Sequence, residues 1–336
     1  MDRYGKIDSS FFTEYVYPHL GADRDDVALG PTAGVDFGIV DVGGQALVTA
    51  TDPISILPEL GFERAAQFAL DIVLTDVAVS GLSPDFLSVS FTLPPSMTDE
   101  QFRRVWTTMD AMATELNIAI VTGHTARYEG CSFPWVGGAT AFAVGDHDAV
   151  IRPNDSQPGD QLIVSTGPGA EAVGLLTTLF GDQLDLPPAT LETARKRLGD
   201  TRGVADALSV AEIDGVTAIH DITEGGLQGA LCELANSTGR KLRVEREAVP
   251  IGPGVEPVCT ALDLDPWQVT SAGSLLVSAS ENAATEVVDK LRARGTRAAI
   301  VGSVTDGAGV WIDGERVDHP GSDPSWDVYA KLANEK

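Results

Sequence analysis

The chain has 336 residues, enough for two domains of ordinary size, and 43% of them are hydrophobic, enough for a substantial core. Its 49 acidic and 23 basic residues give a formal net charge of −26, which argues against binding to nucleic acid or to an anionic membrane surface. The acids are spread along the whole chain, as expected for a protein of a high-salt (halophilic) cytoplasm. Three cysteines without C-x-x-C spacing, no apolar leader and no apolar run of about 18 residues predict a cytoplasmic protein without disulfides or a membrane span.

The first half of the chain predicts a mixed sheet with two long helices. Gly43-Gly44 predicts a hairpin between the first two strands. Thr98 followed by Gln101 forms a capping-box pattern at the start of the second long helix. The predicted elements are a helix at 10–20, strands at 37–42 and 46–51, a helix at 62–79, a strand at 86–93, a helix at 98–116, and strands at 118–122 and 135–144.

A polar segment with prolines and glycines at 146–160 predicts a domain boundary. Strands and helices alternate after it, which indicates an α/β layer fold. We therefore predict two domains, 1–148 and 157–336. The predicted elements of the second are strands at 161–165, 218–220, 275–280 and 298–303, and helices at 170–180, 227–237 and 283–294.

One glycine-rich turn follows the strand at 161–165. Gly167-Pro168-Gly169 with Ala172 matches the loose G-x-G-x-x-A pattern of dinucleotide-binding turns. An ordinary tight turn between strand and helix gives the same pattern, and Pro168 is an unusual occupant for the dinucleotide interpretation. The chain contains no Walker A loop.

Acidic residues recur at the predicted ends of strands and helices. Asp36 precedes a strand, Asp52 ends one, and Asp221 leads from a strand towards a helix. Asp76 lies four residues after Ile72, beside the apolar face of its helix, where a carboxylate needs a partner or a metal. Mg²⁺ prefers carboxylate oxygens together with substrate phosphates. Each acid also has a structural interpretation as a turn, cap or satisfied buried residue.

Six segments occur in a fixed order along the chain. They are Gly34-Val35-Asp36, Thr51-Asp52, Thr75-Asp76-Val77-Ala78-Val79-Ser80-Gly81, Thr122-Gly123-His124-Thr125, His220-Asp221-Ile222-Thr223-Glu224-Gly225-Gly226-Leu227 and Thr270-Ser271-Ala272-Gly273-Ser274-Leu275-Leu276. Taken in order, these segments resemble the aminoimidazole-ribonucleotide synthetase (PurM-like) superfamily, which also holds carbamoyl dehydratases, selenophosphate synthetases and thiamine-monophosphate kinases. The resemblance implies a two-domain α/β (α+β) fold: an ATP-binding, dimerising domain at 1–148, whose mixed sheet forms a β-barrel with its partner in a homodimer, and an α/β domain at 157–336.

The same resemblance implies ATP and Mg²⁺ as ligands. His124 stands where kinase and dehydratase members have an aspartate, and Mg²⁺ favours an imidazole less. Asp36, Asp52 and Asp76 are the implied metal ligands, and His124 and Asp221 the implied catalytic residues. The implied residues for ATP and phosphate are Thr51, Asp52, Gly123, Thr125, Thr223, Glu224, Gly225 and Gly226.

Departures from the family pattern separate its branches. Carbamoyl dehydratases end in a cysteine, whereas this chain has none after Cys259; selenophosphate synthetases have an early cysteine or selenocysteine, whereas the first here is Cys131. The resemblance is nearest to an archaeal-type, dehydratase-like branch and implies transfer of the ATP γ-phosphoryl group to an oxygen of a small substrate or partner. The alternatives are a non-catalytic nucleotide-binding maturation or regulatory protein, and an NAD-dependent enzyme that uses the Gly167 turn.

Overall fold

The computed structural model describes residues 5–7, 9–200 and 203–335. The chain divides into two compact units. The N-terminal unit comprises Asp26–Gly30 and Asp36–Val150, and the C-terminal unit comprises Met1–Asp25, Pro31–Val35 and Ile151–Lys336. The sequence patterns did not predict that the beginning of the chain groups with its second half. Among the described residues, no helix combines the length and apolar character that a bilayer crossing requires.

The secondary structure mixes helices and strands throughout the described residues. The α-helices are α1 Ser9–Phe11, α2 Phe62–Ala78, α3 Asp99–Glu115, α4 Ala170–Phe180, α5 Pro188–Arg195, α6 Gly203–Ala211, α7 Gly226–Thr238, α8 Val255–Ala261, α9 Glu281–Ala293 and α10 Ser325–Asn334. The strands are β1 Val27–Leu29, β2 Gly38–Val42, β3 Gln45–Ser55, β4 Phe86–Leu93, β5 Ala119–Arg127, β6 Trp135–Gly145, β7 Gln161–Ser165, β8 Val216–Ile222, β9 Lys241–Val244, β10 Ser274–Ala279, β11 Ala298–Thr305, β12 Gly309–Ile312 and β13 Glu315–Val317.

The N-terminal unit is a six-stranded sheet in the order β1-β2-β3-β6-β4-β5, with α2 packed against β3 and β6 and with α3 packed against α2. Its strands pair antiparallel except for β4 and β5, which run parallel because α3 connects them as a crossover. This confirms the predicted mixed sheet. The capping box that opens α3 is also present: Thr98 Oγ1 accepts from the Gln101 amide at 3.2 Å, and Gln101 Oε1 accepts from the Thr98 amide at 2.8 Å.

The C-terminal unit contains a seven-stranded sheet in the order β13-β12-β9-β11-β7-β10-β8. Its described strands pair antiparallel except for β9 and β12. The predicted alternation of strands and helices is therefore present, but the helices do not connect adjacent parallel strands. Apolar side chains of this sheet and of α7 form its core around the fully buried Trp267.

The predicted strand ends are wrong at three candidate segments. The strand predicted to end at Thr51-Asp52 continues through Pro53 to Ser55, so Asp52 lies inside β3. Likewise Gly123 to Thr125 lie inside β5, and Asp221 lies inside β8. In all three, the neighbouring strands supply the pairing that keeps the backbone extended.

Candidate functional site

The pairing of four neighbouring strands, β3, β6, β4 and β5, relates the candidate residues of β3 to those of β5. Asp52 belongs to one row of paired residues and His124 to the adjacent row. Three strand spacings separate β3 from β5, a lateral distance of roughly 14 Å. The first row is Asp52, Ala139, Val89 and Gly123, and the second is Pro53, Gly138, Ser90 and His124.

These two rows belong to opposite faces of the sheet, because successive side chains of a strand alternate between faces. Asp52 is half-buried and shares its face with the buried Ala50 and Ile54, on the side where α2 packs. Ser90 and His124 are exposed on the open face. Within one chain, Asp52 and His124 therefore point away from each other.

Asp76 lies near the end of α2, the helix that packs against β3. It is half-buried between the buried residues Thr75 and Val77, as expected for a carboxylate beside the apolar face. Asp52 and Asp76 thus belong to the two elements that form one helix–sheet layer. Asp36 is half-buried immediately before Phe37, at the start of the longer segment of the same unit.

Sheet packing accounts for the glycine of the Gly123-His124-Thr125 segment. A Cβ atom at Gly123 would lie 2.3 Å from the carbonyl oxygen of Val89 on β4, so only glycine fits there. His124 Nε2 lies 3.0 Å from the hydroxyl of Tyr128, and the two rings are nearly parallel. The Thr51 and Thr140 hydroxyls are 2.9 Å apart on the open face.

In the C-terminal unit, residues 223–226 form the predicted connection between a strand and a helix. Gly225, not Asp221, is the N-cap of α7, with a left-handed backbone (φ 85°) that glycine adopts without strain. A Cβ at Gly226 would lie 2.5 Å from the carbonyl oxygen of Trp267. The Gly225 amide donates to Asp323 Oδ2 at 3.3 Å, which fixes the start of the helix.

The first described residues of the chain lie against this loop. The Lys6 amide donates to Glu224 Oε2 at 2.6 Å, and the Lys6 ammonium donates to Thr223 Oγ1 at 3.1 Å. A Cβ at Gly5 would lie 2.5 Å from Glu224 Oε2, so the approach is close. A cationic group is therefore held beside two of the predicted phosphate-binding residues.

Behind the loop, Asp221 and His220 are buried at the end of β8. His220 Nε2 lies 3.1 Å from Glu233 Oε2 on α7. Burial raises the pKa of Glu233, but the hydrogen bond and charge of His220, together with the charges of Lys6 and His319, outweigh burial and lower it to about 2. Glu233 is therefore ionised at neutral pH and fixes the His220 ring beside Asp221.

Glu171, in the first turn of α4, is a buried acid that no motif in the sequence predicts as a functional residue. Its Oε2 accepts hydrogen bonds from the Thr270 hydroxyl at 2.6 Å and from the Ala272 amide at 2.7 Å. Burial raises the pKa of Glu171 to about 7; these two hydrogen bonds oppose the rise, and the charges of Asp323 and Glu224 add to it.

This pKa predicts a pH-dependent stability. Between pH 4.5, the ordinary pKa, and about 7, the folded protein keeps a Glu171 proton that the unfolded chain has lost, so the free energy of unfolding falls as the pH rises. Glu171→Gln keeps a neutral side chain, and its stability relative to the wild type should rise by about 3 kcal/mol from pH 4.5 to pH 8. Urea unfolding at both pH values measures this difference. Glu286→Gln, at an exposed site on α9, is the control; an equal difference at both pH values would contradict the prediction.

The Gly167 turn has a packing explanation. Gly167 has a φ of 99°, and a Cβ there would lie 1.9 Å from the carbonyl oxygen of Pro250. A Cβ at Gly169 would lie 3.0 Å from Val255 and 3.2 Å from Pro266. The protein's own atoms fill the space beside both glycines, so the turn does not favour the dinucleotide interpretation.

The sequence matches both domains of one protein family. The N-terminal domain of AIR synthase related proteins matches residues 34–151, and their C-terminal domain matches residues 157–313. The chain is also 32% identical to the carbamoyl dehydratase HypE of Rhodobacter capsulatus over 275 residues, 79% of this chain and 78% of that protein. This two-domain α/β protein belongs to the AIR synthase related family, which confirms the resemblance stated from the motifs.

Other relatives agree with this assignment. The carbamoyl dehydratase HypE of Escherichia coli K12 is 29% identical over 320 residues, 92% of this chain and 89% of that protein. A crystal structure of E. coli HypE has a TM-score of 0.73 at 26% identity, covering 94% of this chain and 96% of that one. A hydrogenase maturation protein HypE in complex with ATP has a TM-score of 0.69 at 22% identity, covering 94% and 95%, a likeness of fold. The expectation of an enzyme family is therefore confirmed.

Proposed function

We propose that the protein is an Mg²⁺- and ATP-dependent enzyme that transfers the γ-phosphoryl group to an oxygen of a small substrate or partner. One observation carries the proposal: Asp52 lies inside β3 on the face where α2 packs, and Asp76 lies on α2. Both carboxylates are half-buried in one helix–sheet layer, and such a position favours a role in binding a cation over a role as a turn or cap residue. Membership of the AIR synthase related family, and the ATP complex of a protein with the same fold, support the nucleotide.

Mg²⁺ fits the donors of this layer. Asp52 and Asp76 supply the hard carboxylate oxygens that Mg²⁺ prefers, with Asp36 as a supporting ligand. Mg²⁺, when bound, neutralises charge on the phosphates. Gly123 and Thr125 are proposed phosphate contacts, and Thr51, whose hydroxyl lies on the open face as His124 does, is proposed to contact phosphate on that face. His124 faces the opposite side of the sheet from Asp52, so we assign it to orienting phosphate or to proton transfer and not to the Asp52 metal.

The loop of the C-terminal unit is the proposed substrate side. Thr223, Glu224 and the start of α7 at Gly225 and Gly226 present a hydroxyl, a carboxylate and backbone amides at a helix N-terminus, where anions are stabilised. Asp221, held beside the ordered His220, is the proposed acid/base residue. In this proposal the protein accelerates the transfer chiefly by positioning the substrate against the phosphoryl group and by neutralising charge.

The thiols do not suit covalent catalysis in the C-terminal unit. Cys232 and Cys259 are buried, and burial raises the pKa of each to about 12, with nearby carboxylates adding to the rise. A thiol that stays protonated at neutral pH is a poor nucleophile. We therefore leave a cysteine-bound intermediate out of the proposal.

A homodimer is part of the proposal. Among the described residues, β5 pairs with β4 along one edge only, and nearly its whole length is exposed. Val121 is 56% exposed on this strand, and Phe86 is 40% exposed on β4 beside it. Exposed edge strands with apolar neighbours invite pairing with another chain. We propose that a second copy covers this edge.

Calorimetric titration with ATP, with and without Mg²⁺ and in molar KCl, tests the nucleotide assignment. We expect Mg²⁺-dependent binding of ATP and no binding of NAD. Release of ADP in a substrate screen would then establish turnover. ATP binding without turnover would favour the non-catalytic alternative, and absence of ATP binding would contradict the proposal.

A further inference from the structure

A basic cluster in the C-terminal unit lies outside every residue assigned above. Arg197 Nη1 lies 2.7 Å from Asp200 Oδ2, and Arg297 Nη2 lies 2.8 Å from the same oxygen. Two guanidinium groups thus share one carboxylate oxygen in a chain that has 49 acidic and only 23 basic residues. The pairing leaves an excess positive charge within the cluster.

The donors of Arg197 are incompletely used. This residue is only 9% exposed, and among the described residues its Nε and Nη1 have no hydrogen-bond partner. The Nη1 contact with Asp200 is within ion-pair distance but lacks hydrogen-bond geometry. Buried donors of a charged group are costly to leave unsatisfied, so this arrangement calls for a further acceptor.

Gly252 lets the two arginines lie close to its backbone. A Cβ at Gly252 would lie 3.1 Å from Arg197 Cδ, 3.2 Å from Arg197 Nη1 and 3.1 Å from Arg297 Nη2. Its backbone is not left-handed, so the close packing of the two arginines, and not its conformation, explains the glycine. Arg297 Nε donates to the Thr166 carbonyl at 3.1 Å, which fixes that guanidinium beside the Gly167 turn.

We propose that Arg197, Arg297 and Gly252 form a binding site for a phosphate group. A guanidinium presents its donors in a planar fork that matches phosphate oxygens, and two forks with an incomplete set of acceptors suit an oxyanion. The Asp200 carboxylate already between them is the internal anion that an incoming phosphate displaces. This site is separate from the acids assigned to ATP, and it gives the region of the Gly167 turn a role in anion binding without a dinucleotide.

Asp200→Asn provides the sharpest test, because it removes the internal anion and leaves the two arginines facing each other. We expect this variant to bind inorganic phosphate about tenfold more tightly than the wild type. Phosphate should also raise its Tm more than chloride does at equal ionic strength. Thermal unfolding and calorimetry measure both effects, with a non-hydrolysable ATP analogue present to occupy the proposed nucleotide site.

Loss-of-site variants complete the experiment. Arg297→Gln, and Gly252→Ala, which crowds both arginines without changing charge, should each weaken phosphate binding about tenfold or more. Arg103→Gln, an equal charge change on the exposed surface of α3, should not. A phosphate monoester that binds more tightly than inorganic phosphate would identify a phosphorylated metabolite as the ligand, and equal affinity would identify free phosphate. Phosphate that acts no more strongly than chloride, or equally on Asp200→Asn, the wild type and Arg297→Gln, would overturn the proposal.

Discussion

Asp52→Asn and Asp76→Asn should each lower ATP turnover roughly 100-fold while the protein stays folded. Each change removes a negative charge from the helix–sheet layer of the N-terminal unit but keeps the size of the side chain. The proposed Mg²⁺ contact weakens, and the charge on the transferring phosphoryl group is no longer neutralised. ADP release at saturating ATP, measured over a range of Mg²⁺ concentrations, gives the effect.

The matched control is Asp110→Asn, which makes the same chemical change at an exposed position of α3 in the same unit. It should leave both turnover and the Mg²⁺ requirement unchanged. Full turnover by Asp52→Asn and Asp76→Asn at the wild-type Mg²⁺ concentration would mean that these acids are structural. A higher Mg²⁺ requirement in both variants would support their role as ligands.

The second large effect is expected at the exposed edge of the same sheet. Val121→Glu should convert the proposed dimer into a monomer, because it places a carboxylate in an apolar contact and, through a two-fold axis, opposite its copy. Such like-charge burial costs several kcal/mol, or about a thousandfold in the dissociation constant. Light scattering in molar KCl measures the mass in solution.

Val42→Glu is the control for this change. Val42 is 57% exposed, close to the 56% of Val121, but it lies at the end of β2 and not on the β5 edge. The control should remain dimeric. A wild-type protein that is monomeric at all concentrations, or a Val121→Glu dimer as tight as the wild type, would refute the proposed interface.

The sequence predicts secondary-structure elements well where contacts between residues near in the sequence determine them. The capping box at Thr98 located the start of α3 because both of its hydrogen bonds form within four residues. The ends of β3 and β5 were missed because they depend on distant strands: Pro53 pairs with Gly138, and Gly123 pairs with Val89. The antiparallel order of the second sheet was missed for the same reason, since alternation along the chain does not specify which strands become neighbours.

The candidate site likewise has features that short motifs predict and features that depend on residues distant in the sequence. Short motifs predict Asp52, Asp76 and residues 223–226 as candidates, because each motif consists of residues adjacent in the sequence. The face occupied by His124 could not be predicted, because a register shift of one residue between β4 and β5 would reverse it. Lys6 and Asp323 reach the 223–226 loop from opposite ends of the chain, and no local pattern connects them to it.

The discontinuous composition of the C-terminal unit has a consequence for synthesis. The N-terminal unit is complete once residue 150 has left the ribosome, and domains generally fold as units during translation. Lys6 finds its partners Thr223 and Glu224 only after more than 200 further residues have been added. A segment made before the N-terminal unit therefore reaches its native contacts after that unit is complete, and the C-terminal unit cannot take its native form until residues far along the chain have been made.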